Sequence, residues 1–360
     1  MLTLSVLLAI EGSWSIGIFH HWTFITVIVL VIIALGLTSI NDFSHKSLSA
    51  FLSHSGLFLV LAGGLFGAPD STDAMMKVYL EGRKEHIAID ANGNAVPLPF
   101  SVLLEDFKID CYQDGISPKQ YTSTLSIDGR TTQTSVNHPC RYKGYRIYQS
   151  SYGIDSGRYS VLKIVRDPWL PVVDLGALIL LFGALLSLKT VWRNWKILVA
   201  VLLLAVVFAL ISLERISFST LPPALRSLWF IPHLIVYMLA YSILALAVVS
   251  GFASLFSTKV PYGLPEKLLS TASSLLLIGM MCGAVWAKQA WGDYWTWDAK
   301  ECWAAATWLL TLAGTHVQGK GLRFSFAVIA FLAMQMTWYG VNYLPSSMQS
   351  LHTYNQEKTI

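Results

Sequence analysis

The chain has 360 residues, of which 54% are hydrophobic and only 13% are charged, and its formal net charge is +4. Soluble domains carry about a quarter charged residues, so this composition excludes an ordinary soluble enzyme, and its hydrophobicity excludes a disordered chain. The basic residues are scattered, which argues against a nucleic-acid partner. The apolar residues fall into long uncharged runs, which are typical of a protein that crosses a membrane several times.

Runs of apolar residues long enough to cross a bilayer predict about eight transmembrane helices. They lie at Trp22–Ile40, Phe51–Ala68, Val172–Leu188, Ile197–Leu213, Phe230–Phe252, Leu268–Trp286, Cys302–Thr315 and Phe324–Tyr343. The apolar segment Met1–Ile10 is short and is followed by Glu11. It forms either a short additional span or a segment at the interface. The predicted fold is a polytopic α-helical membrane protein.

The stretch between Pro69 and Trp169 differs from the rest because it is polar and charged. Segments of alternating polarity, such as 121–129 and 145–153, are separated there by Asp-Gly, Asn-Gly and Ser-Gly turn signals. This pattern predicts a small β-rich domain inserted between two membrane helices. The chain is thereby divided into a membrane region at 1–68, a β-rich domain at 69–170 and a second membrane region at 171–360.

Basic residues in three short loops predict the orientation of the chain. The loops at 189–196, 259–267 and 316–323 are rich in lysine and arginine, so the positive-inside rule places them on the cytoplasmic side. One predicted span separates each of these loops from the next segment outside the membrane. The β-rich domain, the C-terminal tail and the segment 288–303 are therefore placed on the external side.

The segment 288–303 reads KQAWGDYWTWDAKECW and is called here the tryptophan-rich loop. Five of the thirteen tryptophans lie in it or beside it: Trp286, Trp291, Trp295, Trp297 and Trp303. Tryptophans commonly anchor membrane proteins at the headgroup level, and this interpretation stays open. However, an anchor does not need the glycine and the charged residues that the loop also holds: Gly292, Asp293, Asp298, Lys300 and Glu301. These rings around a tight glycine turn would form an apolar platform for a large planar ligand.

Four histidines are candidates for metal ligation. The predicted topology places His233 and His352 on the external side, one on each side of the tryptophan-rich loop in sequence. A membrane histidine is often only a packed polar residue, but a pair around an aromatic platform favours a ligand role. Two imidazoles suit heme iron. His54 and His316 lie near the opposite face, where each is equally consistent with an interfacial residue or with one half of a second bis-histidine site.

The tryptophan-rich loop resembles a known motif. Its sequence WGDYWTWDAKE (Trp291–Glu301) is similar to the tryptophan-rich WWD motif of the heme-handling proteins of cytochrome c biogenesis, although Ala299 stands where the usual form has proline. The segment SLHTYN around His352 resembles the GLHSYG of the same proteins.

The N-terminal half carries an independent resemblance. The segment VNHPCRYKGYRIYQSSYG (136–153) resembles a signature of the ResB (CcsB) partner protein, and FHHWTFITVIVL (19–30) resembles its first transmembrane region. The chain is therefore similar to a compact CcsB–CcsA (ResB–ResC) fusion of system II. The regions 1–68 and 69–170 would be ResB-like, and 171–360 would be CcsA-like.

The resemblance implies a holocytochrome c synthase, also called a heme lyase, in the bacterial inner membrane with its tryptophan-rich loop and β domain on the periplasmic side. Such a protein moves heme b outward and joins the heme vinyl groups by thioether bonds to the CxxCH cysteines of apocytochrome c. Because the thiolate is the nucleophile, a thiol-reducing pathway is an expected partner.

The resemblance also implies roles for individual residues. His233 and His352 would ligate heme iron externally, and His54 and His316 would ligate it at the inner site. Trp291, Trp295 and Trp297 would hold the macrocycle, while Gly292 and Asp298 shape the loop. Candidate partners of the heme propionates are Lys288, Lys300 and Arg226.

Three other functions remain open on the sequence. A heme carrier or exporter of the same superfamily would bind heme without forming a thioether. A membrane diheme subunit that exchanges electrons with quinone would also place paired histidines near both faces. A transporter with an aromatic belt would bind no cofactor at all.

Overall fold

The structure is a computed structural model, and it describes residues 2–13, 21–153, 158–189, 221–261 and 263–344. The helices in these ranges are α1 (Leu2–Gly12), α2 (Trp22–Ser44), α3 (Leu48–Gly67), α4 (Leu170–Lys189), α5 (Phe230–Phe256), α6 (Leu264–Trp291), α7 (Ala299–His316) and α8 (Lys320–Trp338). Short 3₁₀ turns lie at Ala68–Asp70, Pro223–Leu225 and Gly340–Tyr343.

Six helices in the described part of the chain are long and apolar enough to cross a membrane: α2, α3, α4, α5, α6 and α8. The prediction of a polytopic helical membrane protein is therefore confirmed, with six of the eight predicted spans. The predicted span Ile197–Leu213 lies outside the described residues. The predicted span Cys302–Thr315 does form a helix, α7, but this helix is less hydrophobic because Lys300, Glu301 and His316 lie at its ends.

Helices α3 and α4 approach each other closely because glycines line their interface. A Cβ atom on Gly56 would lie 2.4 Å from the backbone nitrogen of Leu180, and one on Gly176 would lie 2.8 Å from the Cβ atom of Leu59. Small residues allow this backbone approach, which is how membrane helices gain packing energy without a hydrophobic driving force. Since α3 precedes the β domain and α4 follows it, this hairpin fixes both ends of the domain at one end of the helices.

The β domain is an eight-stranded antiparallel sheet in the order β5-β4-β3-β2-β1-β8-β7-β6. Its strands are β1 (Thr72–Tyr79), β2 (Glu85–Asp90), β3 (Ala95–Cys111), β4 (Pro118–Ile127), β5 (Arg130–Ser135), β6 (Cys140–Tyr142), β7 (Tyr145–Gly153) and β8 (Tyr159–Arg166). The first and last strands are neighbours, paired from Thr72 with Arg166 to Tyr79 with Tyr159. This pairing is consistent with attachment of the domain to the α3–α4 hairpin.

The sheet curls until its two halves touch. Thr134 on β5 donates a 2.7 Å hydrogen bond to the carbonyl oxygen of Ile147 on β7, and Ser123 on β4 donates to Gln149 on β7. Alternate residues of the strands fill the interior, among them Met76 and Leu162, which are almost fully buried. The predicted β-rich domain is thus present as one curled sheet around its own apolar core.

Replacing Gly56 with alanine is expected to lower the free energy of unfolding by roughly 1–3 kcal/mol, because the new methyl group would overlap the backbone of α4. The measurement is thermal unfolding of the detergent-purified protein. Gly64→Ala on the same helix is the matched control, since a Cβ atom there has no described heavy atom within 4 Å. Equal melting temperatures for the two variants would contradict the close packing of α3 and α4.

Candidate ligand cavity beside the tryptophan-rich loop

A cavity of about 310 Å³ lies between α5, α6, the tryptophan-rich loop, the beginning of α7 and the end of α8. This volume is at the lower end of the range of small-molecule sites, roughly 300–1,000 Å³. The lining is mostly apolar and aromatic, with a few polar groups. Its described residues include His233, Tyr237, Met238, Tyr241, Met280, Trp286, Tyr294, Trp295, Lys300, Glu301, Thr337 and Trp338.

The cavity-lining His233 is held by two glycines of α6. Its Nδ1 atom lies 2.8 Å from the carbonyl oxygen of Gly279, and a carbonyl can only accept, so Nδ1 carries a proton and donates. A Cβ atom on Gly283 would lie 2.7 Å from this ring nitrogen, and one on Gly279 would lie 2.5 Å from the ring of Tyr237. Gly279 and Gly283 therefore form a recess for His233 and Tyr237. In the neutral ring, the remaining nitrogen Nε2 bears the lone pair that can bind a metal.

The loop tryptophans form two packed pairs rather than one flat platform. Trp286 and Trp291 pack with their ring centroids 5.1 Å apart, and Trp295 and Trp297 meet edge to face at 5.8 Å. Edge-to-face contact is a preferred geometry of aromatic rings. Trp286 and Trp295 line the cavity, whereas Trp297 also packs against Phe24 of α2. Macrocycle binding by the loop tryptophans stays a prediction.

The backbone of the loop is fixed at both ends. Gly292 ends α6 with φ +94°, a left-handed conformation that favours glycine. Asp298 begins α7: its side chain accepts from the backbone N–H of Glu301, and the Glu301 carboxylate accepts from the backbone N–H of Asp298 in return. The Glu301 carboxylate also accepts from the N–H of Thr296 at 2.7 Å. Between these ends, Trp297 has φ +59°, which is strained for a bulky residue.

The β domain holds the loop at its glycine turn. The Lys163 ammonium on β8 forms an ion pair with Asp293 of the loop and a second one, at 3.0 Å, with Asp73 on β1. A Cβ atom on Gly292 would lie 3.2 Å from Tyr148 and from Val165 of the β domain. The next residue of the loop, Tyr294, donates to Asp174 of α4. The glycine turn is thus held by the β domain on one side and by α4 on the other.

The β domain also holds the segment that leads into α5. Tyr112 donates a 2.9 Å hydrogen bond to the carbonyl of Leu221, and Asn137 donates a 2.8 Å bond to the carbonyl of Pro223. On the other side of this segment, Trp286 of α6 donates to the carbonyl of Ala224 at 2.8 Å. The β domain, the segment before α5 and the tryptophan-rich loop therefore lie at the same end of the helices.

The three residues predicted as partners of the heme propionates, Lys300, Lys288 and Arg226, have different surroundings. Lys300 lines the cavity. Lys288 is buried with its ammonium 5.3 Å from the ring centroid of Tyr294. Arg226 donates to the carbonyl of Lys119 and lies against Tyr112, so it faces the β domain. Among these three, only Lys300 contributes to the described lining of the cavity.

The predicted inner histidines lie away from this cavity. Nδ1 of His54 is 2.6 Å from a carboxylate oxygen of Asp42 on α2. Nδ1 of His316, the last residue of α7, donates to the carbonyl of Leu312 at 2.9 Å. In both rings Nε2 is the remaining ligand nitrogen. Whether the two act as a pair stays a prediction, and His352 lies outside the described residues.

Several residues in or next to the cavity wall were not predicted from the sequence. Tyr237 and Tyr241 follow His233 at intervals of four residues, so helical periodicity places all three on one face of α5. The Gly279 and Gly283 pair is the small-xxx-small pattern that marks close helix contacts. Both signals were present in the sequence. Lys163 carried no such signal, because its partner Asp293 is 130 residues away.

Comparison with protein families matches both halves of the chain. Residues 44–158 match the model of the ResB-like family, and residues 172–349 match the model of the cytochrome c assembly protein family. The cavity lies within the second match, whereas Asp73 and Tyr148 of the β domain lie within the first.

Individual relatives match part of the chain. The chain is 32% identical over 169 residues to the cytochrome c biogenesis protein CcsA of Chlamydomonas reinhardtii, which covers 41% of this chain and 48% of that protein. It is 38% identical over 120 residues to CcsA of Oryza sativa, covering 30% and 37%, and 32% identical over 202 residues to CcsA of Guillardia theta, covering 42% and 66%. The chain thus spans less than two thirds of the length of each of these relatives.

Replacing Gly292 with alanine is expected to lower the thermal stability of the protein more than the same change at Gly319. Both glycines have φ +94°, so both variants bear the same kind of backbone strain, of order 1–3 kcal/mol. Only Gly292 would also press its new methyl group against Tyr148 and Val165. Thermal unfolding followed by tryptophan fluorescence measures the difference, and equal losses would argue against the tight contact between loop and β domain.

Proposed function

Because this chain belongs to the system II cytochrome c biogenesis proteins in which a ResB-like region is fused to a CcsA-like region, we propose that it is a heme lyase. In this proposal it moves heme b outward across a bacterial inner membrane and joins it to the CxxCH segment of apocytochrome c. The observation that carries the proposal is a histidine, His233, held in a defined tautomer at the wall of an aromatic cavity.

The proposed reaction adds a cysteine thiol across a vinyl group of heme. One C–S bond forms, the C=C double bond becomes a single bond, and the thiol proton goes to the other vinyl carbon. There is no leaving group and no net oxidation. The thiolate is the attacking species, so the two substrate cysteines must be reduced. A thiol-reducing pathway is therefore part of the proposal.

His233 and His352 are proposed as the two ligands of heme iron at the external site. The recess made by Gly283 accommodates the His233 imidazole, and the Gly279 carbonyl orients it. An outer hydrogen bond of this kind fixes the ring and increases the basicity of the ligand nitrogen. The histidine of the incoming CxxCH segment would replace one ligand and so assist product release.

Trp295, which lines the cavity, carries a hydrogen-bond donor suited to a ligand carboxylate. The Nε1 atom of Trp295 is buried and has no hydrogen-bond partner among the described residues. A buried donor without an acceptor costs about 1–3 kcal/mol, so an acceptor supplied by a ligand would be favoured there. Heme carries two propionates, and Lys300 lines the same cavity. These residues fit the acidic edge of heme.

The proposal extends to the topology of the chain and to the entry of heme. The tryptophan-rich loop and the β domain are assigned to the periplasmic side because basic loops alternate with them along the chain. His54 and His316 are assigned to an inner heme site, and Asp42 would orient the His54 ring as a carboxylate partner often does. Trp291 and Trp297 would support the macrocycle, with Gly292 and Asp298 holding the loop around it.

Replacement of His233 and His352 by alanine is expected to weaken or shift the low-spin b-type absorption spectrum of the purified protein and to abolish cytochrome c maturation. The reason is loss of the external iron ligands. The measurements are oxidised and dithionite-reduced spectra, and maturation of a reporter cytochrome c in a host without its own maturation system. His86→Ala, an exposed residue of β2, is the control.

The outcomes separate the candidate functions. A wild-type protein that is folded but colourless, from heme-replete cells, would remove the heme site. A wild-type protein that binds heme but does not mature the reporter would be a carrier or exporter rather than a lyase. Wild-type maturation in the double variant would refute the ligand assignment.

Replacing Trp295 with phenylalanine is expected to weaken binding of heme more than binding of heme dimethyl ester. The change removes the indole N–H, which forms a stronger hydrogen bond with an ionised carboxylate than with a neutral ester carbonyl. Titrations followed at the Soret band measure both affinities. Trp303→Phe is the matched control, because its buried Nε1 also lacks a partner among the described residues but does not line the cavity. Equal losses for both ligands would contradict a carboxylate partner at Trp295.

A further inference from the structure

The β domain contacts both walls of the cavity. One wall is the tryptophan-rich loop, which the domain reaches through Lys163 and the surface around Gly292. The other wall is α5 with His233, and the domain holds the segment before it through Tyr112 and Asn137. A domain that holds both walls can set the distance between them.

Lys163 is the ionic contact between the domain and the loop. Its neighbours on β8, Leu162 and Ile164, are fully buried in the domain core, so strand alternation directs Lys163 to the opposite face. On that face the ammonium lies between the carboxylates of Asp73 and Asp293. Only 11% of the Lys163 side chain is exposed. The Asp293 side chain is also mostly covered, so this pair is shielded from the screening that weakens surface pairs, whereas Asp73 is half exposed.

The Lys163 side chain stays protonated at neutral pH. Burial lowers the pKa of Lys163, but the attraction of Asp293 and Asp73 and their hydrogen bonds outweigh burial and raise the pKa above its ordinary value. Without the ammonium, two carboxylates would face each other across the contact between domain and loop. Their repulsion would push the glycine turn away from the β domain.

We propose that Lys163 is a positioning residue of the heme cavity: through Asp293 it fixes the tryptophan-rich loop against the ResB-like β domain, which thereby sets the geometry of the site. The inference rests on the proposed function in so far as the ligand is heme. In this proposal the β domain holds the heme site of its own chain in shape.

The test compares Lys163→Met, Lys163→Arg and the swapped pair K163D/D293K in the full-length purified protein. Lys163→Met is expected to weaken heme affinity about tenfold, the lower end of the loss caused by removing a group that orients a metal ligand, because Lys163 acts on the loop and contacts no proposed ligand. The reduced spectrum is expected to shift as well. Lys163→Arg keeps the positive charge, and in the swapped pair a lysine at 293 would face both carboxylates. Lys163→Arg and the swapped pair are both expected to keep most of the heme affinity and the wild-type spectrum.

Lys143→Met is the matched control. Lys143 also forms an ion pair in the β domain, with Asp128, but this pair joins two β turns and does not contact the loop. Its loss is expected to leave the heme spectrum unchanged. Unchanged affinity and spectrum in Lys163→Met would overturn the proposal. A loss that neither Lys163→Arg nor the swapped pair repairs would also overturn it, because Lys163 would then serve only the stability of the domain.

Hydrogen exchange separates this proposal from the proposed function. In heme-free protein, the amides of 291–298 are expected to exchange faster in Lys163→Met than in the wild type, because the turn is released. A wild-type protein that binds no heme would refute the proposed function while this exchange experiment still tests the positioning role. Equal exchange in both proteins would refute the positioning role alone.

Discussion

The position of the His233 imidazole depends on the absence of side chains at two places on α6. Gly279 and Gly283 lie one helical turn apart, and they receive Tyr237 and His233, which are also one turn apart on α5. Any larger residue at either glycine would separate the two helices and open the cavity wall between them. The same close approach brings the Gly279 carbonyl to the Nδ1 atom of His233. One packing constraint thus determines the location, the orientation and the tautomer of the proposed iron ligand.

A second constraint acts on the opposite wall of the cavity. The tryptophan-rich loop has an irregular backbone, and such segments need partners for their polar groups near a membrane. The loop supplies some of these itself, through the reciprocal hydrogen bonds of Asp298 and Glu301. The rest of its support comes from elsewhere in the chain: Lys163 from the β domain, Asp174 from α4 and Phe24 from α2. The glycine-lined α3–α4 hairpin keeps the β domain in place to provide this support.

Sequence patterns predicted the elements better than their contacts. Long apolar runs identified the six confirmed spans, and alternating polarity identified the β domain, because both signals are local. The predicted span 302–315 forms helix α7, but the polar residues at its ends keep this helix out of the set that is long and apolar enough to cross a membrane. The positions of His233, Gly292 and Asp298 also follow from local rules for helices and turns. The Lys163–Asp293 pair and the edge-to-face arrangement of Trp295 and Trp297 do not, because they arise when strands and helices distant in sequence come together.

The polar groups around the cavity indicate what kind of chemistry the site can perform. Glu301 lines the cavity, but its carboxylate accepts backbone N–H groups of Thr296 and Asp298 and holds the loop in shape. The imidazole N–H of His233 is likewise engaged with a backbone carbonyl. Side chains that already form hydrogen bonds with the backbone can orient a ligand, but they transfer protons poorly. Addition of a thiol to a vinyl group creates no leaving group, but it still moves one proton from sulfur to carbon, and the engaged groups of Glu301 and His233 are poor carriers of that proton. A site of this kind would therefore contribute mainly by holding the two reactants together, which can supply about 7–11 kcal/mol of a barrier. For that purpose the rigidity of the cavity walls matters more than an acid or a base within them.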